Sequence, residues 1–300
     1  VRSVAYSLDM PYYVFNFSDR FETDVIDRFI HAYENGITPN PCIDCNRYLK
    51  FDKLYMRAKE LDRDYVVTGH YARVEKDGNG RFLLKKALDD TKDQSYVLYC
   101  LTQEQLSHTI FPLGKMRKSQ AREIAESQGF INARKADSQD ICFVQNGSYA
   151  DFIEQYTGKN YPDGDFLDTN GNVIGRHKGV IRYTVGQRKG LGISAPEPLY
   201  VKAVNPVSNT VTLSYNDGLY SSIVKAGDIN LISVPEIKGE MRVKAKVRYR
   251  HTEQWATVTQ NGETLTAVFD EPQRAVTCGQ ALVLYDGDTV VGGGTIIEVE

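Results

Sequence analysis

Apolar and polar positions along this chain fall into two regimes. Through the first half, apolar residues recur at spacings of three and four, separated by short apolar runs, which predicts helices alternating with strands. Val1, Val4, Ala5 and Leu8 share one face of a helix that the chain enters midway, with no initiator Met and no N-cap, so residues are expected to be missing upstream. Pro11-Tyr-Tyr-Val-Phe-Asn-Phe17 reads as a buried strand. Val25, Ile26, Phe29 and Ile30 form the stripe of a helix over residues 21–33; Tyr48, Phe51, Leu54, Tyr55, Ala58 and Leu61 form that of another. Tyr65-Val-Val-Thr-Gly-His-Tyr71 is a short apolar run ending in Gly-His. Such alternation predicts a parallel sheet covered on both faces, with ligands at the carboxyl ends of its strands, where Gly69 and His70 fall. A hairpin is expected around Asp77 to Gly80, a capping box at Thr102 and Gln105, and a helix over residues 120–128 that Gly129 stops.

The second half changes character. One short helix is predicted over residues 148–156, after which strand and turn signals dominate. Asp168-Thr-Asn-Gly171, Val207-Ser-Asn-Thr210, Asn216-Asp-Gly218 and Asp286-Gly287 punctuate the β runs. The division is therefore an α/β segment over 1–145, a central β-rich segment over 146–220 and a second small β-rich segment over 221–300. Within the last, Met241 to Arg250 alternates without a break. Val243, Ala245, Val247 and Tyr249 share one side; Arg242, Lys244, Lys246, Arg248 and Arg250 share the other. Five like charges on one strand face are either a solvated, cation-protected edge or a surface for a polyanion. The glycine-rich run Tyr183-Thr-Val-Gly-Gln-Arg-Lys-Gly-Leu-Gly192, with Arg182, Arg188 and Lys189, suits phosphate contact.

Composition narrows the class. Charged residues at 25% and hydrophobic ones at 41% describe an ordinary soluble protein. No run approaches the roughly 20 apolar residues of a membrane span, and no signal-peptide pattern opens the chain. Five cysteines, odd in number and widely spaced, argue against a secreted disulfide framework and for a reducing cytoplasm. A net charge of −3 means that a nucleic-acid partner must be met by a local patch.

The chemistry concentrates in Thr38-Pro-Asn-Pro-Cys-Ile-Asp-Cys-Asn46 and in Ser138-Gln-Asp-Ile-Cys-Phe143. Pro39 and Pro41 stiffen the loop before Cys42 and Cys45. Asn46 reads as an N-cap, which would place Cys45 beside a helix N-terminus and lower its thiol from the ordinary value of about 8.5. Cys100 reads as a buried core thiol and Cys278 as incidental. Asp137 and Asp140 are candidate acids or bases, with solvated loop residues as the plainer reading. A thioredoxin-like site is disfavoured because the Cys-x-x-Cys follows a helix and two prolines and not a strand.

Taken together, these motifs resemble the tRNA-specific 2-thiouridylases. The matching pieces are Thr38-Pro-Asn-Pro-Cys-x-x-Cys-Asn46, Thr68-Gly-His-Tyr71, Lys92-Asp-Gln-Ser-Tyr96, Asp140-Ile-Cys-Phe143, residues 183–192, Val247-Arg-Tyr-Arg250 and Gly292-Gly-Gly-Thr295, in family order along the whole chain. The family's Ser-Gly-Gly-x-Asp-Ser phosphate loop is absent, so the resemblance is to a member lacking its first strand–loop–helix unit.

The resemblance implies a partial adenine-nucleotide α-hydrolase-like α/β fold followed by two β-rich domains, the last a small β-barrel, and ATP-dependent replacement of the C2 oxygen of the wobble uridine by sulfur. It implies that Cys142 carries a persulfide delivered by a sulfur-relay donor protein, and that Cys45 is the nucleophile that releases the sulfur through a transient Cys45–Cys142 disulfide. Gly69 would contact ATP, accompanied by Mg2+. Asn40, Pro41 and Cys42 would contact the target base; His70, Lys92, Asp93, Gln94, Arg248, Tyr249 and Gln280 would contact tRNA. A cytoplasmic monomer is implied. Cys42 stands where many relatives carry Asp, so Cys42, Cys45 and Cys142 could instead ligate an iron–sulfur cluster; zinc lacks a fourth ligand. An inactive fragment that still binds tRNA is the remaining alternative, distinguished by weak ATP binding.

Overall fold

The computed structural model describes residues 1–134, 141–144 and 147–300; Asp137 and Asp140, the two candidate acid–base residues, lie outside them. The expected helices form where the periodicity placed them. Residues 18–34 are continuously helical, burying Val25, Phe29 and Ile30. Residues 41–60 form a second long helix whose Leu49, Phe51 and Tyr55 face the core. The Thr102 side chain accepts from Gln105 N–H while Gln105 returns the bond, so this capping box is made. Ser148 caps the helix Tyr149–Thr157 in the same way. Among the described residues, no helix is long and apolar enough to cross a membrane.

The strands among the described residues are, in chain order, β1 Val66–Val67, β2 Ala72–Lys76, β3 Phe82–Lys86, β4 Thr109–Ile110, β5 Gly164–Leu167, β6 Val173–His177, β7 Tyr200–Asn205, β8 Thr210–Ser214, β9 Tyr220–Leu231, β10 Met241–Lys246, β11 Gln254–Asn261, β12 Thr264–Arg274, β13 Ala281–Asp286 and β14 Thr289–Val299. β1 and β4 pair in parallel, Val66 opposite Thr109, which is the α/β element the pattern called for. It is covered on one face only: Val66 and Thr109 are buried, Val67 and Ile110 exposed. The buried strand expected at residues 11–17 does not form. The segment is irregular, and Tyr12, Tyr13, Val14 and Phe15 are exposed. No described strand lies beside it to take its backbone hydrogen bonds; the rings of Tyr13, Phe15 and Phe17 stack in sequence, centroids 6.4 and 6.1 Å apart. The first helix, Arg2–Ser7, buries none of its residues.

The central segment is a four-stranded sheet in the order β6-β5-β8-β7 around Phe166, Val201, Val211 and Leu213. The last segment closes into a six-stranded antiparallel barrel, β13-β10-β11-β12-β9-β14, sealed by the pairing of β13 with β14. This bears out the expected barrel and corrects the reading of Met241–Arg250. The strand stops at Lys246, and β10 is paired on both sides, so it is not an edge. Its cations are partly engaged: Arg242 forms an ion pair with Asp270, and Arg242 and Lys244 lie over the Trp255 ring at 5.2 and 5.5 Å.

One pairing crosses the expected boundaries. The β2–β3 hairpin of the first segment joins the barrel sheet through β14, with Lys85 opposite Thr289. One core accordingly contains Ile43, Phe51, Leu84 and Tyr96 from the first segment with Ile232, Val283 and Tyr285 from the barrel. Gly114 permits the close approach of the loop after β4 to β2: an added Cβ would fall 1.7 Å from the Ala72 carbonyl oxygen.

Candidate functional site

The thiol-bearing helix begins earlier than the Asn46 cap implied. Asn40 is the N-cap, Pro41 takes the first helical position, and residues 41–44 form the opening turn. Proline suits that position because its missing N–H would have no intrahelical partner there. Asn46 is buried inside the helix, its side-chain amide donating to the Val97 carbonyl at 2.9 Å. Cys45 therefore opens the second turn and does not sit at the N-terminus.

From Cys45 to Lys53 the helix is wound as a π-helix. Such wide turns are uncommon and concentrate at functional sites. Their i→i+5 repeat brings Lys50 round toward the face that carries Cys45, and the Lys50 ammonium pulls the thiol values of both Cys42 and Cys45 downward. Desolvation is the larger influence, so both thiols stand above the ordinary value, which corrects the expected lowering at Cys45. Lys50 was not picked out from sequence, because its proximity depends on the π winding.

Cys142 belongs to a separate segment. Ile141 and Phe143 pack against the cluster of Phe29, Ile30, Tyr33 and Ile153, and Phe143 meets Phe29 edge-to-face at 5.2 Å. Anchored on both sides, Cys142 is left exposed. After burial and Lys50, Cys142 is the next influence on the thiol values of both Cys42 and Cys45, so it lies within electrostatic reach of each, and all three are free thiols. Cys100 is fully enclosed, with burial pushing its thiol up to about 11, in keeping with a core role; Cys278 is half-buried.

The remaining candidate residues divide by what their side chains already do. Gly69 is exposed just beyond the carboxyl end of β1, open to a ligand. His70 is 9% exposed, its ring between Phe51 and Phe111 at 5.8 Å from each, with Nδ1 at 2.8 Å from the Thr68 hydroxyl. Burial, with Lys50 adding to it, pushes its imidazole down to about 4. Asp93 accepts from Ala87 N–H at 3.0 Å and from the Ser95 hydroxyl at 2.7 Å. Gln94 accepts from Tyr71 N–H at 2.9 Å. Lys92, half-buried, ends the 3-10 turn ahead of them. Tyr249 donates its hydroxyl to the Asp93 carbonyl at 3.1 Å, and burial, with Asp93 and Cys42 adding to it, raises its phenol.

Arg248 differs from the picture of an outward strand cation. It turns into the junction of the three segments, donating to the Val185 carbonyl at 3.0 Å, and its Nε is buried without a hydrogen-bond partner. Burial lowers it from the ordinary arginine value. Arg182, just ahead of the glycine-rich run, pairs with Asp151 and Glu154 at 2.9 and 2.7 Å, whereas Arg188 and Lys189 stand exposed on that loop. Gln280 lies beside the Cys loop, donating to the Thr38 and Pro39 carbonyls at 3.0 Å each.

Three family models cover nearly all of the chain: a tRNA methyl transferase HUP domain over residues 1–146, a tRNA methyl transferase PRC-barrel domain over 150–215, and an aminomethyltransferase beta-barrel domain over 221–296. The chain is 49% identical over 297 residues to the tRNA-specific 2-thiouridylase MnmA of Clostridioides difficile strain 630, covering 98% of this chain and 82% of that protein. It is 50% identical over 298 residues to the protein of that name from Lachnoclostridium phytofermentans, covering 99% and 84%. The namesake from Acidobacterium capsulatum is 48% identical over 307 residues, covering 99% and 82%.

Proposed function

The chain belongs to the tRNA-specific 2-thiouridylase family, and from its thiol site we propose that it transfers sulfur to C2 of the wobble uridine of tRNA through a persulfide on Cys142. What supports this reading is that Cys142, on a separate segment anchored through Ile141 and Phe143, lies within electrostatic reach of both Cys42 and Cys45. In the proposed step the Cys45 thiolate attacks the inner sulfur of the Cys142 persulfide. A Cys45–Cys142 disulfide forms, the S–S bond of the persulfide breaks, and hydrosulfide leaves to attack C2. An external dithiol then reduces the disulfide. The sulfur enters from a relay donor protein.

Lys50 favours the thiolate against the desolvation that opposes it. Asn40, the N-cap, and exposed Cys42 would meet the base at the start of the helix, with Pro41 buried between them. When bound with Mg2+, ATP supplies activation of the uridine C2 oxygen as a leaving group. Gly69, exposed at the end of a parallel strand, is the residue here that would face it. Among the described residues no group of three or more His, Cys, Asp or Glu is disposed to hold a metal ion, so no step is derived through an iron–sulfur cluster.

The test is Cys142→Ser, assayed with ATP, Mg2+, a sulfur donor and tRNA bearing an unmodified wobble uridine, with nucleosides read by mass spectrometry. The variant should form no 2-thiouridine while binding tRNA as before. Substantial 2-thiouridine from it sinks the persulfide assignment.

A further inference from the structure

Loop 37–40, which delivers the thiol helix, is tied to its own segment where Ile37 N–H donates to the Ala32 carbonyl at 2.9 Å, and beyond that point it is held by the barrel. Three consecutive barrel residues grip three consecutive loop residues. The Thr38 N–H donates to the Cys278 carbonyl at 3.1 Å. Gly279, at φ +88°, lies so close that an added Cβ would fall 2.3 Å from Ile37 Cγ2 and 2.8 Å from the Thr38 carbonyl oxygen. The Gln280 side-chain amide donates to both the Thr38 and Pro39 carbonyls at 3.0 Å. The gripping residues are themselves fixed to β14: Gly279 N–H donates to the Ile296 carbonyl at 2.9 Å, and Ile296 N–H donates to the Gln280 carbonyl at 2.8 Å.

The loop side continues the chain of constraint. Pro39 and Pro41 each fix a φ angle, so orienting the Pro39 carbonyl also sets the direction in which Asn40 enters the helix. Cys42 is one residue beyond Pro41, and Cys45 is one turn beyond that. An amide bridging two successive carbonyls is a two-point restraint, which a single hydrogen bond is not. It also answers two acceptors that the prolines cannot help to satisfy, since neither proline has an N–H.

We infer that Gln280 is a positioning residue for the thiol helix, acting from the barrel through the Thr38 and Pro39 carbonyls. This rests on reading Cys42, Cys45 and Cys142 as the working thiols, and it replaces the expectation that Gln280 acts by touching tRNA: its donor hydrogens are directed at the loop. The barrel then does more than close the fold. It sets the angle at which the sulfur chemistry is presented.

The test is Gln280→Met, which keeps the length and removes the donors, measured on the full chain by iodoacetamide alkylation of each cysteine with peptide mass spectrometry. In the variant, Cys42 and Cys45 should alkylate at rates changed several-fold from the parent, while Cys100, enclosed in the core, stays protected. Affinity for an in vitro transcribed tRNA with a wobble uridine should stay within about twofold. Gly279→Ala, which wedges the same contact from the neighbouring position, should change the same two cysteines. Unchanged Cys42 and Cys45 rates with weakened tRNA binding would make Gln280 a direct tRNA contact and overturn the inference. Loss of Cys100 protection in both variants would overturn it too, by reducing the grip to general stability. Because alkylation needs no sulfur transfer, these readouts stand apart from the Cys142→Ser assay that tests the persulfide.

Discussion

His70 carries a prediction that separates burial from ionic tRNA contact. Its imidazole is enclosed by Phe51 and Phe111 and sits near about 4, against 6.5 for an unburied histidine. The folded state therefore refuses a proton that the unfolded state accepts below 6.5. Stability is untouched above that value, falls as the pH drops from 6.5 toward about 4, and levels off below. At pH 5 the linkage amounts to about 2 kcal/mol, a substantial part of a typical total of roughly 5–15 kcal/mol. The assay is urea unfolding of the parent and of His70→Leu at pH 7.5, 6.0 and 5.0. The variant loses the Thr68 hydrogen bond, a pH-independent offset; the other titrating groups cancel in the difference between the two proteins. That difference should shift by about 2 kcal/mol in favour of the variant between pH 7.5 and 5.0. A constant difference would refute the neutral, desolvated His70. The same neutrality has a binding consequence. An uncharged ring releases no counterion, so His70→Leu should leave the salt slope of tRNA affinity at pH 7.5 unaltered, whereas loss of a true phosphate contact flattens it by about 0.7–0.9.

Arg248 and Arg250 should part company. Arg248→Ala removes the charged donor to the Val185 carbonyl at the three-segment junction and should cost about 1–3 kcal/mol of stability in urea unfolding; Arg250→Ala, at an exposed position, should stay within about 0.5 kcal/mol. Equal costs would show that the junction contact contributes nothing. Lys50→Met removes the cation that favours both thiolates, so the pH profile of Cys45 alkylation should move to higher pH; an unmoved profile would remove Lys50 from the site.

How far the sequence carried depends on whether a feature is set locally. The capping box at Thr102, the short helix over residues 148–156, the hairpin at Asp77–Gly80 and the helical stripes are written within a few residues of one another, and they formed as read. Asn46 was misread although its signal is local, because Asn40 offers the same side chain six residues earlier. Pro41 behind Asn40 was the deciding cue, since proline is at home at the first helical position and Asn46 has no such follower. The apolar run at residues 11–17 has strand composition but no described strand to pair with, and strand formation is decided by neighbours. Arg248 fits the alternation of β10 perfectly and still lies off the strand, because a period-two pattern cannot announce where a chain turns into a junction.

What the sequence left hidden has a common cause. The β2–β3 hairpin reaches β14 across some two hundred positions, and the 278–280 grip on the Cys loop spans a similar distance. Neither is encoded by periodicity or by a cap; each exists only once the barrel has closed. The site residues could be picked out individually because their chemistry is conspicuous: three cysteines, a Gly-His pair and prolines flanking an asparagine. Their arrangement could not, since Cys142 is aimed by Ile141 and Phe143 against a helix more than a hundred residues upstream, and Cys42 by a barrel amide more than two hundred downstream. A thiol site assembled from such distant supports follows the closure of the barrel, so a change in the barrel wall can alter sulfur chemistry without touching a cysteine.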